Sequence, residues 1–293
     1  MMVDDASDAL SREDIDDLAR AVRLLEENNF AVRVSSLLGD KLGRGSNWVL
    51  DQLPTGIRDR IAETANATAE KSLGYAYRFA LVTIGTERGG STGWDWLKRQ
   101  LSSEWFDKTA AAVTGATGGA AGLAGTAIEL PITTAIIMRS IAQIAQNEGE
   151  DLGSDDARMQ CLNVFAFGGS SAADDKAETG YYAVRLAITE AISQAAGKTL
   201  KEILPKLLVP ILQRFNINVA LKFSGQAVPV AGAATGIIIN LAFMDHYHDK
   251  ARGHFIVRRL ERKYGATQVH ACYEQLKLDW LAEKSGKRKQ VAA

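Results

Sequence analysis

Residues 109–128, TAAAVTGATGGAAGLAGTAI, and residues 223–244, FSGQAVPVAGAATGIIINLAFM, carry no charged side chain. Each approaches the length of a membrane-spanning helix, so the fold turns on how they are read. In the first, only Val113, Leu123 and Ile128 are large and apolar. At about −0.3 to −0.6 kcal/mol each, they supply roughly −1 to −2 kcal/mol before glycine and threonine subtract, too little to drive insertion. The pairs Gly115/Gly119, Gly118/Gly122 and Gly232/Gly236 stand four apart, which lets two helix backbones approach closely in protein or in lipid. We read both stretches as buried helices of a bundle, with membrane insertion as the alternative.

Helical spacing continues on either side. Pro131 suits the first turn of a helix whose Ile132, Ala135, Ile136, Ile141, Ile144 and Ala145 share a face, and Gly149 closes it. Ser154 caps a helix with Asp155 and Asp156 in its first turn, which ends at Gly168 and Gly169. Asp174 to Ala196 reads as helix again. Toward the amino terminus, Trp94 to Phe106 forms a bulky aromatic helix suited to a core or to an interfacial belt. Apolar spacing from Ile57 to about Thr83 predicts another helix, and Ala31 to Leu38 a short one. Ser11 with Asp14 opens an amphipathic helix carrying Ile15, Leu18, Ala19, Val22 and Leu25. The alternation in FNINVALKF, residues 215–223, reads as a strand by periodicity alone. It has no evident partner strand, so helix is favoured. Helices from Ile237 past Tyr264 and from Gln268 to Glu283 complete the chain.

These elements predict an all-α, multi-helix single domain with two Gly/Ala-rich central helices. An N-terminal helical extension covers 1–45, the body 46–283 and a basic disordered tail 284–293. Composition fits this, at 46% hydrophobic and 24% charged residues in a chain of 293. The formal net charge of −1 supplies no basic field for nucleic acid. Gly197-Lys198-Thr199 imitates a phosphate loop, but Ile192 stands where its leading glycine is needed, so no nucleotide is expected. Gly168 to Ala172 lacks the spacing of a nucleophile elbow. Cys161 and Cys272 sit in apolar surroundings as reduced thiols. The first thirty residues are charged throughout and lack a secretory pattern. We therefore expect a cytoplasmic protein, peripheral at the inner membrane if its basic tail meets lipid.

Four blocks carry a resemblance: ELPITTAIIMRSIAQIAQNEGEDL from 129, CLNVFAFGG from 161, ETGYYAVR from 178, and AVPVAGAATGIIINLAFMDHYHDKARGHFIVRRLERKYG from 227. In order and spacing they resemble the EcsC family over about Glu70 to Gly265. The resemblance implies a helical, bacterial protein from a family named for a companion gene of an ABC-transporter pair. Some members are labelled peptidases. The polar positions it carries over are Glu129, Arg139, Glu178, Tyr181, Arg185, Asp245, His246, Arg252, His254 and Arg258. His248 departs from the family pattern.

The segment MDHYHDKARGH, residues 244–254, holds three of the four histidines. On a helix, Asp245, His248, Asp249 and Arg252 share one face. Carboxylates and imidazoles so placed can ligate a divalent ion, with Glu129, Asp245, His246 and His254 as the ligand set and Glu178 as a further oxygen. The same residues serve equally as a structural network between helices, or as a face for an anionic head group. Glu129, Arg139, Glu178, Tyr181 and Arg252 are the polar candidates for a site. Two functions follow. One is a non-catalytic accessory protein that meets membrane lipid or membrane-transport machinery. The other is a metal-dependent, peptidase-like hydrolase with a carboxylate and histidine site.

Overall fold

A computed structural model describes residues 10–26, 30, 56, 59, 63–74, 122–167, 180–193, 211–212, 214–216, 218–220 and 232–292, with backbone only at 122–129, 132, 191–193, 232–241 and 287–292. The elements are α1 (Arg12–Glu26), α2 (Gly122–Asn147), α3 (Asp155–Asn163), a 3-10 turn (Val164–Ala166), α4 (Tyr181–Ser193), α5 (Gly232–Tyr264) and α6 (Ala266–Ala292). Residues 63–74 are also helical, and no strand occurs among the described residues. In the stretch that alternates, residues 214–216 and 218–220 are helical, with Phe215 and Val219 buried four apart. The tertiary core overrides the period-two pattern there.

Local chemistry explains the ends. The Asp14 backbone N–H donates to Ser11 Oγ at 3.2 Å, which starts α1. Gly149, at φ +80°, closes α2. There Glu150 N–H donates to the Ala145 carbonyl and Gly149 N–H to Gln146, which meets the orphan carbonyls of the last turn. Ser154 accepts from Ala157 N–H at the start of α3. Gly265, at φ +91°, separates α5 from α6.

Three boundaries differ from expectation. Pro131 lies inside α2 rather than opening a helix. Burial of Leu130, Pro131, Thr134 and Ala135 holds the helix continuous across the missing N–H, and Thr134 Oγ1 donates to the Leu130 carbonyl. Gly180 stands outside helix and α4 begins at Tyr181, while residues 174–179 and 194–196 of the element expected over 174–196 lie outside the described residues. Finally, α6 continues to Ala292 through the residues expected as a disordered tail. The expected helix at 31–38, the Trp94 to Phe106 helix, and the uncharged residues 109–121 lie outside the described residues.

Helix α5 is the spine. Helix α1 lies along it, α2 and the 3-10 turn pack against it, and α6 folds back beside both α1 and α5. Leu18, Ala21, Val22 and Leu25 are the buried face of α1, as the helical spacing requires. Gly253 permits close approach: a Cβ there would lie 2.6 Å from Leu25 Cγ and 3.2 Å from the Ala21 carbonyl oxygen. A ring cluster of Phe165, Phe215, Phe243 and Tyr247 fills the centre, with centroids 5.1–6.2 Å apart. Cys161 and Cys272 are buried, unpaired thiols.

Candidate functional site

The chemistry-bearing residues lie along α5 and on the helices against it. Its buried stripe follows helical spacing through Phe243, Tyr247, Lys250, His254 and Val257. Two ionisable side chains therefore sit on an apolar register. Lys250 Nζ donates to the carbonyls of Leu24 and Leu25, at 3.0 and 2.6 Å, and so caps the C-terminus of α1.

His254 is fully enclosed. Its Nδ1 lies 2.7 Å from the Tyr181 hydroxyl, and its ring packs against Phe167 and Phe255. Burial, then the charges of Arg185 and Arg258, hold the imidazole well below its ordinary titration range. Burial raises the Tyr181 hydroxyl, so it stays protonated. Among the described residues, Nε2 of His254 has no hydrogen-bond partner.

Around this pair lies a shell of matched charges. Arg185 forks onto Glu261 with bonds of 2.6 and 2.9 Å, and the Tyr182 hydroxyl donates to the same carboxylate at 3.1 Å. The guanidinium stands 5.4 Å from the Tyr181 and Tyr182 ring centroids. Arg258 forks onto Glu150, a carboxylate only 4% exposed, and reaches Asp156 at 2.6 Å. Arg262 bonds Glu150 as well.

The expected ligand set is only partly comparable. His246 is buried beside Phe30 and Tyr247, its Nε2 3.5 Å from Asn218 Nδ2. Eight residues separate it from His254, about 12 Å along a helix axis, and the two rings face different neighbours. They are not brought to one ion, whose ligands lie about 2.0 to 2.6 Å away. Asp245 is exposed and His248 half-buried. Among the described residues no three His, Cys, Asp or Glu side chains cluster as metal ligands. Glu129 belongs to α2, but its side chain lies outside the described part, as does Glu178 altogether. Arg139 is exposed on α2. Arg252 is exposed and 3.4 Å from Asp249. Among the described residues, the polar candidate Tyr181 meets a member of the expected ligand set, His254.

Sequence spacing missed Glu26, Glu150, Lys250 and Glu261. Lys250 was detectable, because it interrupts an otherwise apolar stripe. The carboxylates gave no local signal, since their partners lie 75 or more positions away. Chemically, the shell consumes its own charges: the tyrosines stay protonated, the enclosed imidazole stays neutral, and each of Glu26, Glu150 and Glu261 is held by donors.

A model of the EcsC protein family matches residues 97–260, more than half of the chain. No curated protein and no solved structure matches it.

Proposed function

The chain belongs to the EcsC protein family, and from that premise we propose that it is a non-catalytic helical protein that docks on anionic membrane lipid through the outer half of α6. The observation that carries this is the course of that helix. Val269, Cys272 and Tyr273 are core residues. Beyond them Leu278 and Leu281 are 60% and 43% exposed. Lys284 Nζ stands 4.5 Å from the Trp280 ring centroid. The helix then runs through Lys287, Arg288 and Lys289, with no acidic residue after Glu283.

Exposed leucines at 278 and 281, followed along the same helix by Lys284, Lys287, Arg288 and Lys289, suit contact with an anionic head-group surface. Each cation near an anionic surface contributes about 1 kcal/mol, and the contribution is screened by salt. No helix among the described residues is long and apolar enough to cross a membrane, and the reading places contact at the lipid surface. The alternative is a metal-dependent hydrolase with Glu129, Asp245, His246 and His254 as ligands or acid/base groups; a single ion held by both His246 and His254 would have to bridge about 12 Å along α5.

Vesicle flotation tests the proposal. The protein should float with vesicles containing phosphatidylglycerol at 50 mM salt, about tenfold less at 500 mM, and hardly at all with phosphatidylcholine alone. Equal flotation with both lipids, or none with either, contradicts it, and the second result redirects the search to a protein partner in transport machinery.

A further inference from the structure

We propose that Ser285 is a phosphate acceptor: a serine kinase using ATP modifies it, and the phosphate releases the outer half of α6 from anionic lipid. The inference rests on the docking reading above and adds the regulation of that contact.

Position comes first. At helical spacing Leu278, Leu281 and Ser285 share one side of α6, turned away from the side that buries Val269, Cys272 and Tyr273. Residues 281–286 are exposed throughout. The Ser285 hydroxyl therefore lies one turn beyond Leu281 on the face given to lipid, and it donates to the Leu281 carbonyl at 2.9 Å. Arg288 and Lys289 stand three and four positions further on in the same register, with Lys284 and Lys287 beside them.

The same turn suits a kinase. Phosphoryl transfer needs the acceptor oxygen in line with the γ-phosphorus, a geometry that a hydroxyl tied to its own helix reaches once the turn unwinds. Unwinding costs little here. Gly286 follows directly, and glycine is the poorest helix former after proline. The turn lies near the end of α6 and carries no buried side chain, and such turns open most readily. Cations one position before the acceptor and two, three and four after it give a carboxylate-lined kinase cleft a complementary surface. In the step itself Ser285 Oγ attacks the γ-phosphorus of ATP. A new O–P bond forms as the bond to the β,γ-bridging oxygen breaks, ADP leaves, and the hydroxyl proton passes to the kinase's catalytic base.

The product carries about −1.5 to −2 charges at pH 7 where a neutral hydroxyl stood. Lys284, Lys287, Arg288 and Lys289 all lie within four positions of it, so the local charge falls from about +4 to about +2. Arg288 and Lys289, three and four positions on, are spaced to pair with the phosphate oxygens instead of lipid. The dianion is itself repelled by anionic head groups. Together these lower the partition onto anionic vesicles at low salt by about tenfold or more.

Two measurements on the full chain test the switch. Incubation with extract of its source cells and ATP should place phosphate on Ser285, located by peptide mass spectrometry, and Ser285→Ala should lose that label. Protein synthesised with phosphoserine at position 285 should float with phosphatidylglycerol vesicles at 50 mM salt tenfold or more below the unmodified chain, whereas Ser285→Ala should float like wild type. Absence of phosphate from 285, or equal flotation of the phosphorylated and unmodified chains, overturns the switch and leaves the docking reading standing. The same loss of flotation in Ser285→Ala also overturns it, because the hydroxyl and not the added charge would then be what matters. An unmodified chain that fails to float takes the docking reading down, and the switch with it.

Discussion

The Tyr273 hydroxyl on α6 donates to Glu26 Oε1, the last residue of α1, across 2.9 Å. Both helices lie outside the family-matched residues 97–260. The same carboxylate accepts from the Tyr181 backbone N–H at the start of α4 and lies 3.6 Å from Lys277 Nζ. One anion thus joins three helices, at the positive end of α4's dipole. Glu26→Ala should lower stability by about 1–3 kcal/mol, since three donors lose a charged acceptor. Urea unfolding checks this through a lower midpoint at unchanged slope.

Lys250 makes a second joint between α1 and α5. Lys250→Met keeps the buried stem but removes the ammonium from the Leu24 and Leu25 carbonyls. A loss of about 1–3 kcal/mol is expected from leaving those carbonyls without their donor. Hydrogen exchange should show the last turn of α1 losing protection first.

Gly253 sets how closely α1 approaches α5. In Gly253→Ala the new methyl meets Leu25 Cγ and the Ala21 carbonyl, and the backbone oxygen has no room to yield. Despite alanine's better helix propensity, we expect net destabilisation of about 1–3 kcal/mol from overpacking. Thermal unfolding of this variant checks it, and a rise in Tm would refute the close approach.

Asp14 fixes the acid limb of stability. Hydrogen bonds from Lys263 and Tyr264, then Ser11, hold its carboxyl well below the usual carboxylate range. A depressed carboxylate contributes fully above its ordinary value of 3.8 and is lost as pH falls toward the folded value. Asp14→Asn should therefore be less stable than wild type at pH 7, with the gap narrowing below pH 4. Unfolding midpoints at pH 7 and pH 3 measure this.

Much of the architecture was legible because it is local. The Ser11 and Ser154 caps, the Gly149 stop and the apolar face of α1 follow from spacing of three and four residues and from the chemistry of helix ends. At 215–223 periodicity alone reads as strand, the lack of a partner strand favours helix, and the described residues there are helical, with Phe215 and Val219 packed into the core. Pro131 was read as a helix start, whereas burial on both sides carries α2 through it. The candidate site was legible in part. Tyr181 and His254 were both marked and do meet, but nothing local links Arg258 to Glu150 or Arg185 to Glu261. Those pairs are 108 and 76 positions apart, and only the fold brings them together.

The claim that α6 carries the membrane contact is tested most directly by changing only its exposed outer half. Leu278→Asp/Leu281→Asp alters no core residue, so helicity and unfolding midpoint should match wild type. The account predicts that this variant loses flotation with phosphatidylglycerol vesicles by tenfold or more at 50 mM salt. Flotation equal to wild type from the folded double variant would contradict it.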